Sequence, residues 1–515
     1  MSQLPQKSPL ASPLSEDTTS RVDNLPMESF WLEVENIKQS TEAEQEECSL
    51  ADVKTQEEGE AEAEWLQDAG LSDLIGDHAS ENDNALLSTL TKTQAAAVQR
   101  RLDTYSRSRR RKNKPPVRDV RDIFGVLFEL QDVFSSVAEA QDYSCTVRNP
   151  GKEEVFNMDV AYSEQAAVLL KGSFLPESKR IKDGNVLTVS KFKIPKGRLG
   201  VTRIGDLSAQ DMKKIPTLAL IELTALCDVL GFELKRNKAA KLKTTEKKLF
   251  GVPLNTLLEN DQKLLPNTKV PLLLQALLSC LEKRGLETEG ILRVSGSQTR
   301  IKSLEQKLER DFYSGLFRWD EVHQNDVSGL LKRFIRELPA PLLTAEYLPA
   351  FAAVQNIPDL KQRLQALNLL ILILPEPNRN TLKALLEFLS KVVSRENNNK
   401  MNLWNVSTVM APNLFMHKGL PNKIPEGKEK QLAEGAADVV RMMIHYQDLL
   451  WTVSSFLVAQ VRKLNESNKM FFFPVFHVLI GERCLDPDTY LLDLYHINPH
   501  AEWIIKQNPS YPRMF

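Results

Sequence analysis

Five residues stand out for what their types and spacing could do: Arg293, Lys332, Arg336, Asn405 and Asn413. Arg293 follows two apolar residues in a segment bracketed by Gly285, Gly290 and Gly296. Glycines permit unusual loop dihedrals, and the apolar neighbours can pin such a loop to a core, so the guanidinium would project from a rigid base. Lys332 and Arg336 are four residues apart and share one helix face, turned away from the Leu331, Phe334, Ile335 and Leu338 stripe. Like charges at that spacing repel by a few tenths of a kcal/mol, roughly, which an acidic partner surface would relieve. Asn413 follows Pro412, which is expected to interrupt or end a helix and leave the amide to bond across a surface or cap the backbone. Asn405 suits a bond inside the same bundle as well as one to a partner. Taken singly, each group has a plain structural counterpart: a solvated loop arginine, a solvated cationic face, an asparagine cap.

Other chemistries are poorly supported. The seven histidines and the cysteines Cys48, Cys145, Cys227, Cys280 and Cys484 form no CxxC pair, metal-ligand spacing or catalytic triad, and there is no Walker-type phosphate loop. No metal or cofactor is expected. The odd, scattered cysteine set points to free thiols in a reducing compartment. No segment approaches the roughly 18 apolar residues of a membrane span. The N-terminal residues lack the apolar run of a secretory signal, so a cytoplasmic protein is expected. A net charge of −2 argues against a chain-wide polyanion binder, and nucleic acid is not an expected partner.

The elements that must position these residues are helical. Leu382, Leu385, Leu386, Leu389, Val392 and Val393 form one amphipathic stripe; Val327, Leu330, Leu331, Phe334, Ile335 and Leu338 form another, stopped by Pro339. Leu272, Leu273, Ala276, Leu277 and Cys280 give a third, and Leu364, Leu367, Leu370, Ile371 and Leu374 a fourth, ended by Pro375 and Pro377. No period-2 pattern of comparable length interrupts them, so residues 249–457 are expected to form an all-α bundle, followed by an extension over 458–515.

Residues 1–115 read as largely disordered, being Ser- and Pro-rich at first and acidic from Glu42 to Glu64. Two apolar islands interrupt them, Phe30-Trp31-Leu32 with Val34 and Ile37, and Trp65-Leu66 with Leu71, Leu74 and Ile75. Their helical spacing suits folding on a partner or, equally, docking on this chain's own core. A basic stretch over 100–118 suits a solvated linker, a nuclear-import signal or weak contact with anionic membrane. Residues 116–248 form a small segment of unassigned fold. It includes apolar runs at 186–189 and 192–194, a Ser208–Asp211 capping pattern, and an apolar helix whose start Pro216 delays and Gly231 ends. A Lys-rich linker over 235–248 closes it.

In this order and spacing, four phrases resemble the RhoGAP domain: Phe250-Gly251-Val252-Pro253-Leu254, the loop Gly290–Gly296, the helix Leu330–Leu342, and the segment Asn405–Leu414. Ser407 and Ala411 stand where that family usually has Ala and Gly, and neither departure alters charge. The phrases at 87–99, 202–207 and 480–485 are similar to flanking regions of the subgroup containing Rho GTPase-activating proteins 18, 28 and 40. In that subgroup the last phrase lies farther from the GAP domain, which implies that part of the region after Asn468 is missing here, as in a splice form. The resemblance implies a RhoGAP-like bundle acting on a GTP-bound Rho-family GTPase, RhoA favoured, and so on signalling to the actin cytoskeleton. Arg293 would be an arginine finger inserted in trans, while Lys332, Arg336, Asn413 and Asn405 would bind the GTPase. The chain would not itself be an enzyme, because nucleotide and Mg²⁺ belong to the partner. A catalytically silent binding module, or a cytoskeletal or membrane scaffold, is the alternative.

Overall fold

Apolar residues repeating every three and four positions bury one face of a helix only when another element lies against it. The computed structural model describes residues 25–42, 58–75, 81–112, 154–172, 191–194, 201–232, 234, 247–416 and 429–472. Its first helices are α1 (Leu25–Glu42), α2 (Glu58–Asp68), α3 (Glu81–Thr89) and α4 (Lys92–Lys112). A two-residue strand β1 (Glu154–Val155), helix α5 (Tyr162–Gly172) and strand β2 (Phe192–Lys193) follow, the strands pairing in parallel with Glu154 opposite Phe192. Next come α6 (Ala209–Met212), capped by Ser208, and α7 (Ile215–Leu230), which begins at Ile215 with Pro216 inside its first turn instead of being delayed by it, and which Gly231 ends.

The bundle proper comprises α8 (Leu254–Leu264), α9 (Leu272–Arg284), α10 (Gln298–Asp311), α11 (Gln324–Glu337), α12 (Leu348–Ala353), α13 (Leu360–Ile373) and α14 (Glu376–Val393). It continues with α15 (Glu396–Asn399), α16 (Leu403–Phe415) and α17 (Glu429–His445), and α18 (Gln447–Leu450) and α19 (Ser455–Phe472) complete the described chain. The four stripes are α14, α11, α9 and α13 in turn, and Pro377 sits in the first turn of α14, where its missing N–H costs nothing. α11 packs on α9, α10 and α16, with Leu330, Leu331, Phe334 and Ile335 buried and Phe334 edge-on to Phe250 at 6.3 Å. Each such side chain contributes on the order of 1.5–3 kcal/mol by leaving water.

Several expectations need correction. Within 1–115 the described stretches are helices, because their apolar islands are buried: Phe30 and Val34 of α1, and Trp65 and Leu66 of α2, join one continuous core. The islands thus dock on this chain's own core, with Trp65 donating to Thr224 of α7 at 3.0 Å. The basic stretch, as far as Lys112, is the C-terminal half of α4 and not a linker; Arg100 and Arg101 pair with Asp228, and Arg101 also with Glu62. Pro412 does not end its helix, since α16 runs on to Phe415. The lost N–H bond falls in the last turn, where little helix remains to be disrupted. The bundle is also not closed at residue 249, because α7 packs along α13, and residues 202–204 bond the chain at 451–453. Residues 113–118, 186–189, 235–246 and 480–485 lie outside the described residues.

Candidate functional site

The Arg293 loop is held in an uncommon backbone conformation. Gly290 has φ 67° and Leu292 φ 69°, a left-handed value that an apolar side chain seldom adopts. Ile291 and Leu292 are fully buried, so packing pins the strained residue immediately before Arg293. At Gly296 a Cβ would stand 2.4 Å from the Asp326 carboxylate and 2.9 Å from its Cα, so the loop lies against the start of α11 as only glycine allows. Asp326 accepts the Ser297 N–H at 3.0 Å and the Arg300 Nε–H at 2.8 Å. On the other side the Gly290 N–H donates to the Asn399 carbonyl at 2.8 Å, while Asn399, itself buried, donates to the Leu286 and Val392 carbonyls. Arg293 is half-exposed, and among the described residues its side chain has no hydrogen-bond or ion-pair partner.

Lys332 and Arg336 do share a face, but that face is covered. Lys332 is 5% exposed, and its Nζ donates to the Leu292 carbonyl at 3.0 Å and to Glu33 of α1 at 2.5 Å. Arg336 donates to the other Glu33 oxygen at 3.1 Å and to the Asn413 Oδ1 at 2.9 Å. Asn413 completes the cluster, donating to Glu33 at 3.2 Å and to the Val409 carbonyl at 2.9 Å. The expected repulsion between the two cations is offset by one carboxylate lying between them. Burial pushes the Lys332 ammonium below its usual range, and Glu33 works in the opposite direction.

Three of the five sequence-selected residues therefore meet in one cluster, and Lys332 ties it to the backbone carbonyl directly before Arg293. Asn405 stands apart, two turns earlier in α16; its N–H donates to the capping Asn402 Oδ1 at 2.8 Å and its side-chain amide donates to the Lys400 carbonyl at 3.5 Å.

A family model described as the RhoGAP domain matches residues 271–419, which span the loop, α11 and α16. A Rho GTPase-activating protein 18-like N-terminal SAM domain model matches 40–113, and an RHG40-like C-terminal ubiquitin-like domain model matches 432–508. Rho GTPase-activating protein 40 of Homo sapiens is 53% identical, the match covering 99% of this chain and 92% of that protein. This chain belongs to the RhoGAP family. Human Rho GTPase-activating protein 18 is 42% identical over 98% of this chain and 91% of its own. The crystal structure of human Rho GTPase activating protein 15 is 26% identical, covering 40% of this chain and 93% of that one, with a TM-score of 0.35. The protein is a Rho GTPase activator with a Rho-family GTPase as partner.

Sequence reasoning missed three supports of this loop and cluster: Glu33, Asp326 and Asn399. The spacing of α11 pointed to the cationic face, but nothing local to it announces a counterion 299 residues away. Asp326 opens α11, where a first-turn acid reads as an ordinary helix signal. Asn399 sits in a short polar run with no periodicity to mark it.

Proposed function

We propose that Arg293 is an arginine finger, inserted in trans beside the γ-phosphate of a GTP-bound Rho-family GTPase, RhoA favoured. The observation that carries this reading is a half-exposed guanidinium on a loop whose left-handed Leu292 is buried and whose carbonyl is gripped by Lys332. Such a loop presents a fixed positive charge where charge develops during phosphoryl transfer, and an arginine supplied in trans raises the rate by about 10³–10⁵. Arg suits the task because its planar fork stays charged and can bridge two acceptors. Lys332, Arg336 and Asn413 meet the acidic surface of the GTPase and keep the loop in register. The partner supplies nucleotide and Mg²⁺. A role restricted to binding is disfavoured by the presence of finger and supports together.

The test is a single-turnover hydrolysis panel with RhoA, Rac and Cdc42. The wild-type chain should stimulate RhoA most, and Arg293→Ala should lower stimulation by about 10²–10⁵ while still binding the GTP-loaded partner. Arg293→Lys should recover little, because a compact ammonium lacks the fork. Near wild-type stimulation by Arg293→Ala would overturn the assignment.

A further inference from the structure

Glu33 is 3% exposed, and both of its oxygens are taken by Lys332, Arg336 and Asn413. Those are the residues that the proposed function reserves for the GTPase, so the inference rests on that reading. We propose that α1 is an internal competitor of the GTPase: its Glu33 carboxylate fills the docking cluster, and α1 must leave before a partner can dock.

The occupancy is mutually exclusive. With α1 in place Lys332 is 5% and Asn413 3% exposed, so no outside group can reach them. The chemistry is that of a substitute ligand, since two cations stacked at i and i+4 need an anion, and α1 delivers one carboxylate to both. The contact also reaches the catalytic loop, where Asn36 donates to the Ser295 hydroxyl at 3.1 Å, two residues beyond Arg293. Glu33, Asn36, Val294, Ser295 and Arg336 line one shared cleft.

α1 is built as a detachable piece. Met27, Phe30 and Val34 anchor it against the core, where it packs on α16 and α17, while Trp31 and Leu32 on its outer side are 37% and 56% exposed. Ligand affinity falls in proportion to the fraction of molecules in the competent state, so an occupied site lowers activity without altering its chemistry.

The test uses the full chain. Glu33→Ala should raise stimulated hydrolysis at sub-saturating GAP, and should tighten binding of RhoA loaded with a non-hydrolysable GTP analogue by about tenfold or more. The binding arm is repeated in an Arg293→Ala background, where no hydrolysis is read. A wrong finger assignment then shows as an unchanged rate on losing Arg293, with the Glu33 effect on affinity intact. A second variant carries Asn36→Cys with Ser295→Cys; the oxidised, crosslinked chain should bind the GTPase at least tenfold more weakly than the same chain after reduction. Unchanged or weakened binding by Glu33→Ala, or full binding by the crosslinked chain, would overturn the proposal.

Discussion

Helix α11 carries two charged faces, and they are neutralised in opposite ways. On one, Arg333 Nε lies 2.7 Å from Glu305 of α10 and 2.7 Å from Glu337 of its own helix, with Lys247 joining Glu305 at 3.1 Å. On the other, Lys332 and Arg336 take their anion from α1, 299 and 303 residues away in sequence. Arg333 and Lys332 are adjacent and both buried. The difference lies in where the counterion comes from. A cation neutralised from within the bundle is part of the fold, while one neutralised by a separate helix is available to whatever can replace that helix.

The largest effect should fall on the internal face. Truncating Arg333 leaves the buried Glu305 and the partly buried Glu337 with the more exposed Lys247 as their remaining shared cation, and breaking a buried pair costs about 3–5 kcal/mol. Arg333→Met should lower the unfolding free energy of the whole bundle by that amount, read from denaturant titration. A loss below about 1 kcal/mol would mean that the face is as replaceable as the other one.

The external face should respond in binding and not in folding. In the Glu33→Ala chain, Lys332→Glu or Arg336→Glu should weaken the complex with GTP-loaded RhoA by about 2–5 kcal/mol, measured by titration. The background matters, because in the wild-type chain either reversal would also set a second carboxylate against Glu33 and expel α1. If affinity held in the Glu33→Ala background, the cluster would be an α1 anchor with no part in docking.

A third buried charge widens the comparison to the seam between α7 and the N-terminal helices. Glu222 accepts the Ser163 N–H at 2.8 Å, the Ser163 hydroxyl at 3.1 Å and the Gln94 amide at 2.5 Å, with no cation among these partners. Burial raises its carboxyl to about 7, against the opposing pull of these hydrogen bonds. A carboxyl raised on folding binds its proton more tightly in the folded chain. Its stability is therefore full below the unfolded value of 4.5, declines as pH rises, and is lost by about 7. At about 1.4 kcal/mol per unit, the loss amounts to roughly 3 kcal/mol. Glu222→Gln should flatten the stability profile over that window, as read from melting temperatures between pH 5 and 8; an unflattened profile would assign the titration elsewhere.

These faces also show what could be read in the chain. The stripes of α9, α11, α13 and α14 were legible because helical period is a local property. The role proposed for Arg293 rests on the order of four phrases, since a single loop arginine carries no such signal. Asn413 was placed at a broken helix, because the rule for Pro412 ignores how little helix lies beyond it. The acidic composition between Glu42 and Glu64 concealed that Trp65 and Leu66 have a core to join. Glu33 was not legible at all: its meaning depends on Lys332 and Arg336, which only the folded chain brings to it.

The smallest effect is the most discriminating. Removing Glu33 also breaks a buried ion pair, and on the internal face that would cost several kcal/mol. On the external face the cost has a ceiling, because the molecule can respond by releasing α1, after which Lys332 and Arg336 are hydrated and need no carboxylate. Global stability cannot fall by more than the free energy that held α1 in place, and local opening of one helix lies toward the low end of such energies. Glu33→Ala should accordingly shift the main unfolding transition by no more than about 1–2 kcal/mol. Amide exchange in α1 should meanwhile become fast and that in α11 stay protected. A uniform loss of protection across α1, α11 and α16 would show that Glu33 is built into the bundle as firmly as Glu305, and the contrast between the two faces would disappear.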